Sequence, residues 1–258
     1  MAVALNFKKT GEGKPLVVLH GLFGLLDNWQ TFAKQMAELG YAVYTVDLRN
    51  HGSSPHTPEL NYEVLSDDVV QLIREQQIEG ATLLGHSLGG KTAMYLALHH
   101  PEIISSLIVV DIAPRYYAPH HQQILEALHA VDLDTTNTRS DADKILSGYI
   151  NDVGTKQFLL KNLYWKSDRL EWKFNLDAIT EHIGIVGEEL TSSNPFSKPT
   201  LFIKGEKSNY ITTEDEAGIK KLFLHAEVLT APAAGHWVQA DNPTWILETV
   251  SDFMGKNA

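Results

Sequence analysis

The chain of 258 residues contains no cysteine. Disulfides, thiolate metal sites and a cysteine nucleophile are therefore excluded together. Basic side chains are also scarce, 21 Lys and Arg against 32 Asp and Glu, for a formal net charge of −11. That balance argues against a nucleic-acid or anionic-membrane surface, because neutralising phosphates takes clustered Lys and Arg. No apolar run approaches the ~20 residues that a membrane-spanning helix needs. Met1 to Asn6 carries neither a basic start nor an apolar stretch of signal-peptide length, so a cytoplasmic protein is the expectation. Internal repeats and low-complexity tracts are lacking as well. What remains, 43% hydrophobic and 21% charged residues, is ordinary globular composition for one large domain or a core domain with an insertion.

Short apolar runs alternate with helix-forming stretches through the first half of the chain. Val3 to Lys8 alternates weakly and reads as an edge strand. Pro15 to Leu19, Tyr41 to Val46, Ala81 to Leu84 and Ser106 to Val110 have the continuous apolar character of strands buried on both faces. Between them, Trp29, Phe32, Ala33, Met36 and Leu39 repeat at helical spacing, and Asn61 to Gln77 reads as a second helix. Alternation with short connections specifies right-handed βαβ units and a parallel sheet. From about Arg115 to Pro195 the rhythm breaks. Helical periodicity persists, no strand run is evident, and aromatics accumulate, which predicts a helical lid whose aromatics mostly fill its own small core. Strand Thr200 to Ile203, helix Glu214 to Phe223, strand Ala226 to Thr230 and helix Pro243 to Met254 then complete the core.

Gly85-His86-Ser87-Leu88-Gly89 lies between a predicted strand and a predicted helix. Strand, tight turn and helix are the context in which G-x-S-x-G works as a nucleophile elbow. The two glycines leave room for a strained serine, and the strain lifts its hydroxyl toward solvent beside free peptide N–H groups. A serine hydroxyl is a weak nucleophile at neutral pH and needs a base within hydrogen-bond reach. His236, in the loop before the closing helix, falls where the chain order Ser, acid, His requires it. The other histidines read more blandly. His99-His100 and His120-His121 fit solvated helix-end or lid positions, and His86 fits a packing role.

The acid is the departure. The loop after Leu201 to Lys204 reads Gly205-Glu206-Lys207-Ser208-Asn209-Tyr210, without an Asp at the expected place, and Glu206 comes one residue past the glycine. Asp111, at the end of the strand after the elbow unit, is favoured. Ser208 is then available to bridge it to His236, since a hydroxyl can accept and donate together. The oxyanion donors are expected to be the N–H groups of Leu88 and Leu22, with Phe23 the competitor for the second. His20 and Gly21 read as shaping that loop, and Arg49 to Gly52 as locking it.

His20-Gly-Leu-Phe-Gly24, Asp47-Leu-Arg-Asn-His-Gly-Ser53, Gly85 to Gly90, Asp111-Ile-Ala-Pro114 and Gly235-His-Trp237 together resemble the α/β-hydrolase superfamily over essentially the whole chain. Within it the sequence is most similar to the small bacterial ybfF-type carboxylesterases, through Asp-Ile-Ala-Pro combined with Ser208 in place of the usual late acid. The resemblance implies a mostly parallel sheet flanked by helices, with a helical lid inserted after the sixth strand. Residues 1–114 and 196–258 would form the core and 115–195 the lid. It also implies a serine hydrolase of short to medium acyl esters, with acyl-CoA thioesters as a further candidate, using no metal or organic cofactor. Asp111 and Ser208 would share a modified triad. The late-loop acid of ordinary members cannot be carried over, because Ser208 and Asn209 stand there. Alternatives on the same fold are a carbon–carbon hydrolase, a lyase or a perhydrolase. A non-catalytic ligand sensor is the alternative of another class, and oligomeric state is not readable. A nucleotide-binding reading of Gly85 to Gly90 is weakest, because Ser87 occupies the second glycine position of G-x-G-x-x-G.

Overall fold

Residues 1–257 are described by a computed structural model in which the apolar runs of the first half become strands. β1 (Phe7–Thr10) and β2 (Lys14–Leu19) precede helix α1 (Gln30–Glu38). β3 (Tyr41–Val46) precedes α2 (Tyr62–Glu75), β4 (Ala81–His86) precedes α3 (Leu88–His99), and β5 (Ile104–Val110) follows. The helices begin and face inward for local reasons. The Asn61 side chain accepts from Val64 N–H at 2.9 Å to cap α2, and Phe32, Ala33 and Met36 form the buried stripe of α1.

After β5 the chain leaves the sheet. It runs through α4 (Gln122–Ala130), α5 (Arg139–Leu146), α6 (Val153–Leu160), β6 (Leu163–Lys166), β7 (Arg169–Trp172) and α7 (Leu176–Glu181). It then returns as β8 (Thr200–Gly205), α8 (Asp215–Leu222), β9 (Ala226–Ala231), the short α9 (Val238–Asp241) and α10 (Pro243–Lys256). The sheet order is β1-β3-β2-β4-β5-β8-β9, with β1 antiparallel to β3 and every other pairing parallel. Alternate side chains of the inner strands feed two cores. Val17, Leu19, Leu83 and Val109 pack with residues of α2 and α3, whereas Leu16, Val18, Leu84 and Ile108 pack with residues of α1 and α10.

Three expectations need correction. The edge strand begins at Phe7 rather than Val3, because Val3 N–H goes to Asp68 Oδ1 (2.7 Å) and Asn6 N–H to Ser54 Oγ (2.8 Å) instead of a neighbouring strand. The insertion is not purely helical. β6 and β7 form a hairpin closed by Ser167-Asp168, and four-residue strands are too short to register as alternation. The insertion also follows the fifth strand of the chain, not the sixth, because a single strand, β1, precedes β2.

Candidate active site

The elbow between β4 and α3 is set by backbone crowding. A Cβ on Gly85 would meet Gly89 O at 2.1 Å, and one on Gly89 would meet His20 O at 2.5 Å. With both positions free of side chains, helix and strand approach closely and Ser87 is held at φ 51°, ψ −115°. A non-glycine residue at positive φ carries strain of about 1–3 kcal/mol, which the surrounding hydrogen bonds must hold in place. Those bonds are present. Ser87 N–H donates to Val110 O and Gly89 N–H to His20 O, both at 3.1 Å. Leu88 N–H, between them, has no acceptor among the described residues.

The loop after β2 provides a second free donor. His20 and His51 lie with ring centres 5.0 Å apart, buried beneath it. Burial lowers His20 to about 4 and His51 to about 3, so both are neutral near pH 7. Their partners fix the tautomers. Nδ1–H of His20 donates to Gly21 O (2.8 Å) while its Nε2 accepts from Leu48 N–H (3.1 Å). Nδ1–H of His51 donates to Arg49 O (2.9 Å) while its Nε2 accepts from Phe23 N–H (3.2 Å). Phe23 N–H is thereby occupied, and Leu22 N–H is left without an acceptor among the described residues. The loop-locking role expected of Arg49 to Gly52 has its counterpart here, for buried Arg49 also meets Asp68 through two contacts of 2.8 Å.

A pH dependence follows from these neutral imidazoles. In the unfolded chain each titrates near 6.5, above its folded value, so below about pH 6.5 the unfolded state binds more protons. Stability is therefore full above that pH and is lost as pH falls toward about 4. Thermal melts from pH 8 to 4 are expected to show the loss, and it should shrink in His51→Gln, which keeps an acceptor without a titrating ring. A flat Tm between pH 7 and 4.5 would contradict the assignment.

Asp111 follows β5 at φ 51°, fully buried. Its Oδ2 lies 2.8 Å from His236 Nδ1 and accepts from Ser208 Oγ at 2.5 Å, while Oδ1 accepts from Gly205 N–H at 2.9 Å. The histidine reaches the carboxylate directly, so Ser208 does not bridge them as expected. It shares the same oxygen and adds a second donor to it. Glu206 points elsewhere, accepting Ala233 N–H at 2.7 Å. His86 also does more than pack: its Nε2–H donates to His236 O at 2.8 Å and ties the histidine loop to the elbow.

Ser87 and His236 face one cavity of about 220 Å³. Trp29, Ile124, Phe158, Leu159 and Trp237 give it an apolar wall, part core and part insertion. Two groups that sequence reasoning missed complete it. Tyr210 stacks on the His236 imidazole (centroids 4.0 Å, planes 20° apart) and bonds His120 Nε2 through its hydroxyl at 2.6 Å. His120, exposed as expected, and the half-buried His121 both line the cavity, and burial pushes His121 down to about 4. No spacing signal announces them: histidines in an insertion read equally well as its core or its surface, and Tyr210, in the loop after β8, stacks only where that loop meets the one carrying His236.

A sheet with these crossovers and a strained serine between strand and helix define an α/β-hydrolase. Comparison with known proteins agrees: residues 14–148 match the alpha/beta hydrolase fold family, and the chain belongs to it. Within the family it stands close to the ybfF-type esterases. It is 35% identical to the Escherichia coli K12 protein named esterase YbfF over 94% of each chain. It is 39% identical to mouse sn-1-specific diacylglycerol lipase ABHD11, over 93% of this chain and 80% of the mouse protein. Among solved structures, a marine microorganism esterase matches with a TM-score of 0.95 and 39% identity, covering 98% of this chain and all of the other.

Proposed function

We propose that the chain hydrolyses carboxylic esters of short to medium acyl chains through an acyl-enzyme on Ser87. The broader class is a carboxylesterase, the class to which the named esterase and lipase relatives belong. In this reading His236 takes the Ser87 proton as Oγ attacks the ester carbonyl carbon. Asp111 holds the Nδ1–H tautomer and stabilises the imidazolium that forms. The free N–H groups of Leu22 and Leu88 receive the developing oxyanion. His236 then protonates the departing alcohol, and it later deprotonates the water that releases the acid. Ser208 acts as a second donor to Asp111. The observation that carries the reading is the 2.8 Å contact from Asp111 to His236, with that histidine and the strained Ser87 facing one cavity.

Residues 115–195 serve as a lid in this reading, with 1–114 and 196–258 as the core. Ile124, Phe158 and Leu159 of the insertion contribute to the apolar wall. A cavity of ~150 Å³ accommodates a benzene ring. By proportion, the 220 Å³ here suits roughly nine carbon atoms. Across p-nitrophenyl esters from acetyl to palmitoyl, kcat/KM is expected to peak between butyryl and octanoyl and fall at least tenfold by palmitoyl. A profile still rising at palmitoyl would place the acyl chain outside this cavity. Matched acyl-CoA thioesters in the same series test the thioester extension.

A further inference from the structure

The N–H of Leu22 belongs to a peptide whose other end is not free. Gly21 O, across that peptide, accepts from Gly24 N–H at 2.9 Å as well as from His20 Nδ1–H at 2.8 Å. Gly24 N–H shares a peptide plane with Phe23 C=O, and Phe23 O accepts from Asn162 Nδ2 at 2.8 Å. A trans peptide points its C=O and N–H in opposite directions. The bonds therefore run head to tail, from Asn162 through the Phe23–Gly24 peptide to the Gly21–Leu22 peptide, and end at Leu22 N–H. Each bond in such a chain polarises the next, and in a buried setting the effect is not screened by water.

Asn162 is built to hold that position. It lies between α6 and β6, 139 residues away in sequence, and is 1% exposed. Its own backbone is fixed on both sides, N–H to Leu159 O at 3.0 Å and C=O from Lys173 N–H at 2.8 Å. Its Oδ1 is buried without a partner among the described residues. A leucine of similar volume would avoid that unpaired oxygen, so packing alone does not account for an amide here. Phe23 itself sits at φ 57° with N–H on His51 and C=O on Asn162, so both ends of a strained residue are clamped.

We propose that Asn162 is a positioning residue for ester hydrolysis: from the insertion, it orients and polarises the Leu22 N–H through two peptides. The proposal rests on Leu22 N–H being an oxyanion donor for an acyl-enzyme on Ser87. It makes the insertion part of the catalytic machinery rather than only a cavity wall. A covering segment that carries Asn162 away would slacken the oxyanion loop, so that a displaced insertion and a weakened oxyanion hole would coincide.

Asn162→Ala and Asn162→Asp test it, with rates expressed per active site titrated by a fluorophosphonate, so that partly misfolded material does not count. Loss of a whole oxyanion donor costs about 10²–10³ in kcat, and a group that only orients one is expected to cost about tenfold. Both variants should therefore lose about tenfold in kcat with KM within twofold of wild type. Affinity for an acyl-trifluoromethyl ketone, which forms the tetrahedral adduct, should weaken by a similar factor. In Asn162→Asp the ionised carboxylate cannot donate to Phe23 O, whereas the protonated acid can. Its rate relative to wild type should therefore recover as pH falls from 8 toward 5, and Asn162→Ala should show no such recovery. Unchanged kcat per titrated site and unchanged ketone affinity in both variants would overturn the proposal. Turnover surviving in Ser87→Ala would instead overturn the acyl-enzyme reading beneath it.

Discussion

Replacing Ser87 with alanine is expected to lower kcat for p-nitrophenyl butyrate by about 10⁶-fold, the scale found when the nucleophile of a serine hydrolase is removed. The fold should survive, because the contacts that set the elbow are backbone ones. Ser87 N–H goes to Val110 O, Ser87 O accepts Lys91 N–H at 2.9 Å, and neither needs the hydroxyl. KM or product binding should change little, since the apolar wall of the cavity is untouched. A short-chain ester burst equal to one equivalent of enzyme should disappear along with turnover. Wild-type rates in Ser87→Ala would end the acyl-enzyme mechanism and leave His236 with a water as the nearest remaining chemistry.

Asp111→Asn is expected to lower kcat by about 10⁴-fold, because an amide in place of the carboxylate presents N–H to His236 Nδ1 and selects the wrong imidazole tautomer. The Asp111 carboxylate also collects donors from Ser208 and Gly205, so the substitution should perturb Tm as well. Activity per titrated site therefore separates chemistry from folding. Two companions make the comparison decisive. Glu206→Gln alters a surface turn at Ala233 and is expected to leave kcat near wild type. Ser208→Ala removes a donor from the oxygen that faces His236. His236 still meets the carboxylate directly, so the loss of rate should be far smaller than in Asp111→Asn. A collapse in Glu206→Gln with Asp111→Asn active would move the acid to the later loop.

Much of this architecture is legible in sequence because it depends on local rules. Strands buried on both faces must be continuous apolar runs, so Leu16 to Leu19 and Leu107 to Val110 declare themselves. The elbow needs glycine on both sides of the serine for steric reasons confined to a few residues, and Gly85 and Gly89 stand there. His236 and Asp111 follow from chain order once the serine is located, and the absence of an Asp between Gly205 and Tyr210 moves attention to the earlier strand. Pattern alone favours Leu22 over Phe23 as the second oxyanion donor. The proposal gains support from His51, which already accepts Phe23 N–H, a contact between residues 28 apart.

What the sequence by itself determined is the order of strands and helices, the strained serine, and the histidine and carboxylate available to it. These depend on hydrophobic period, glycine sterics and the fixed side on which βα loops gather. Only the tertiary structure decided that Asp111 meets His236 without Ser208 between them, that Tyr210 stacks on the imidazole, and that Asn162 reaches Phe23 O. The hydrogen bonds among those contacts join residues 97 to 139 apart in sequence, and the stack joins two different loops. No periodicity encodes them, because a hydrogen bond depends on where two backbones meet in space rather than on the composition of either segment.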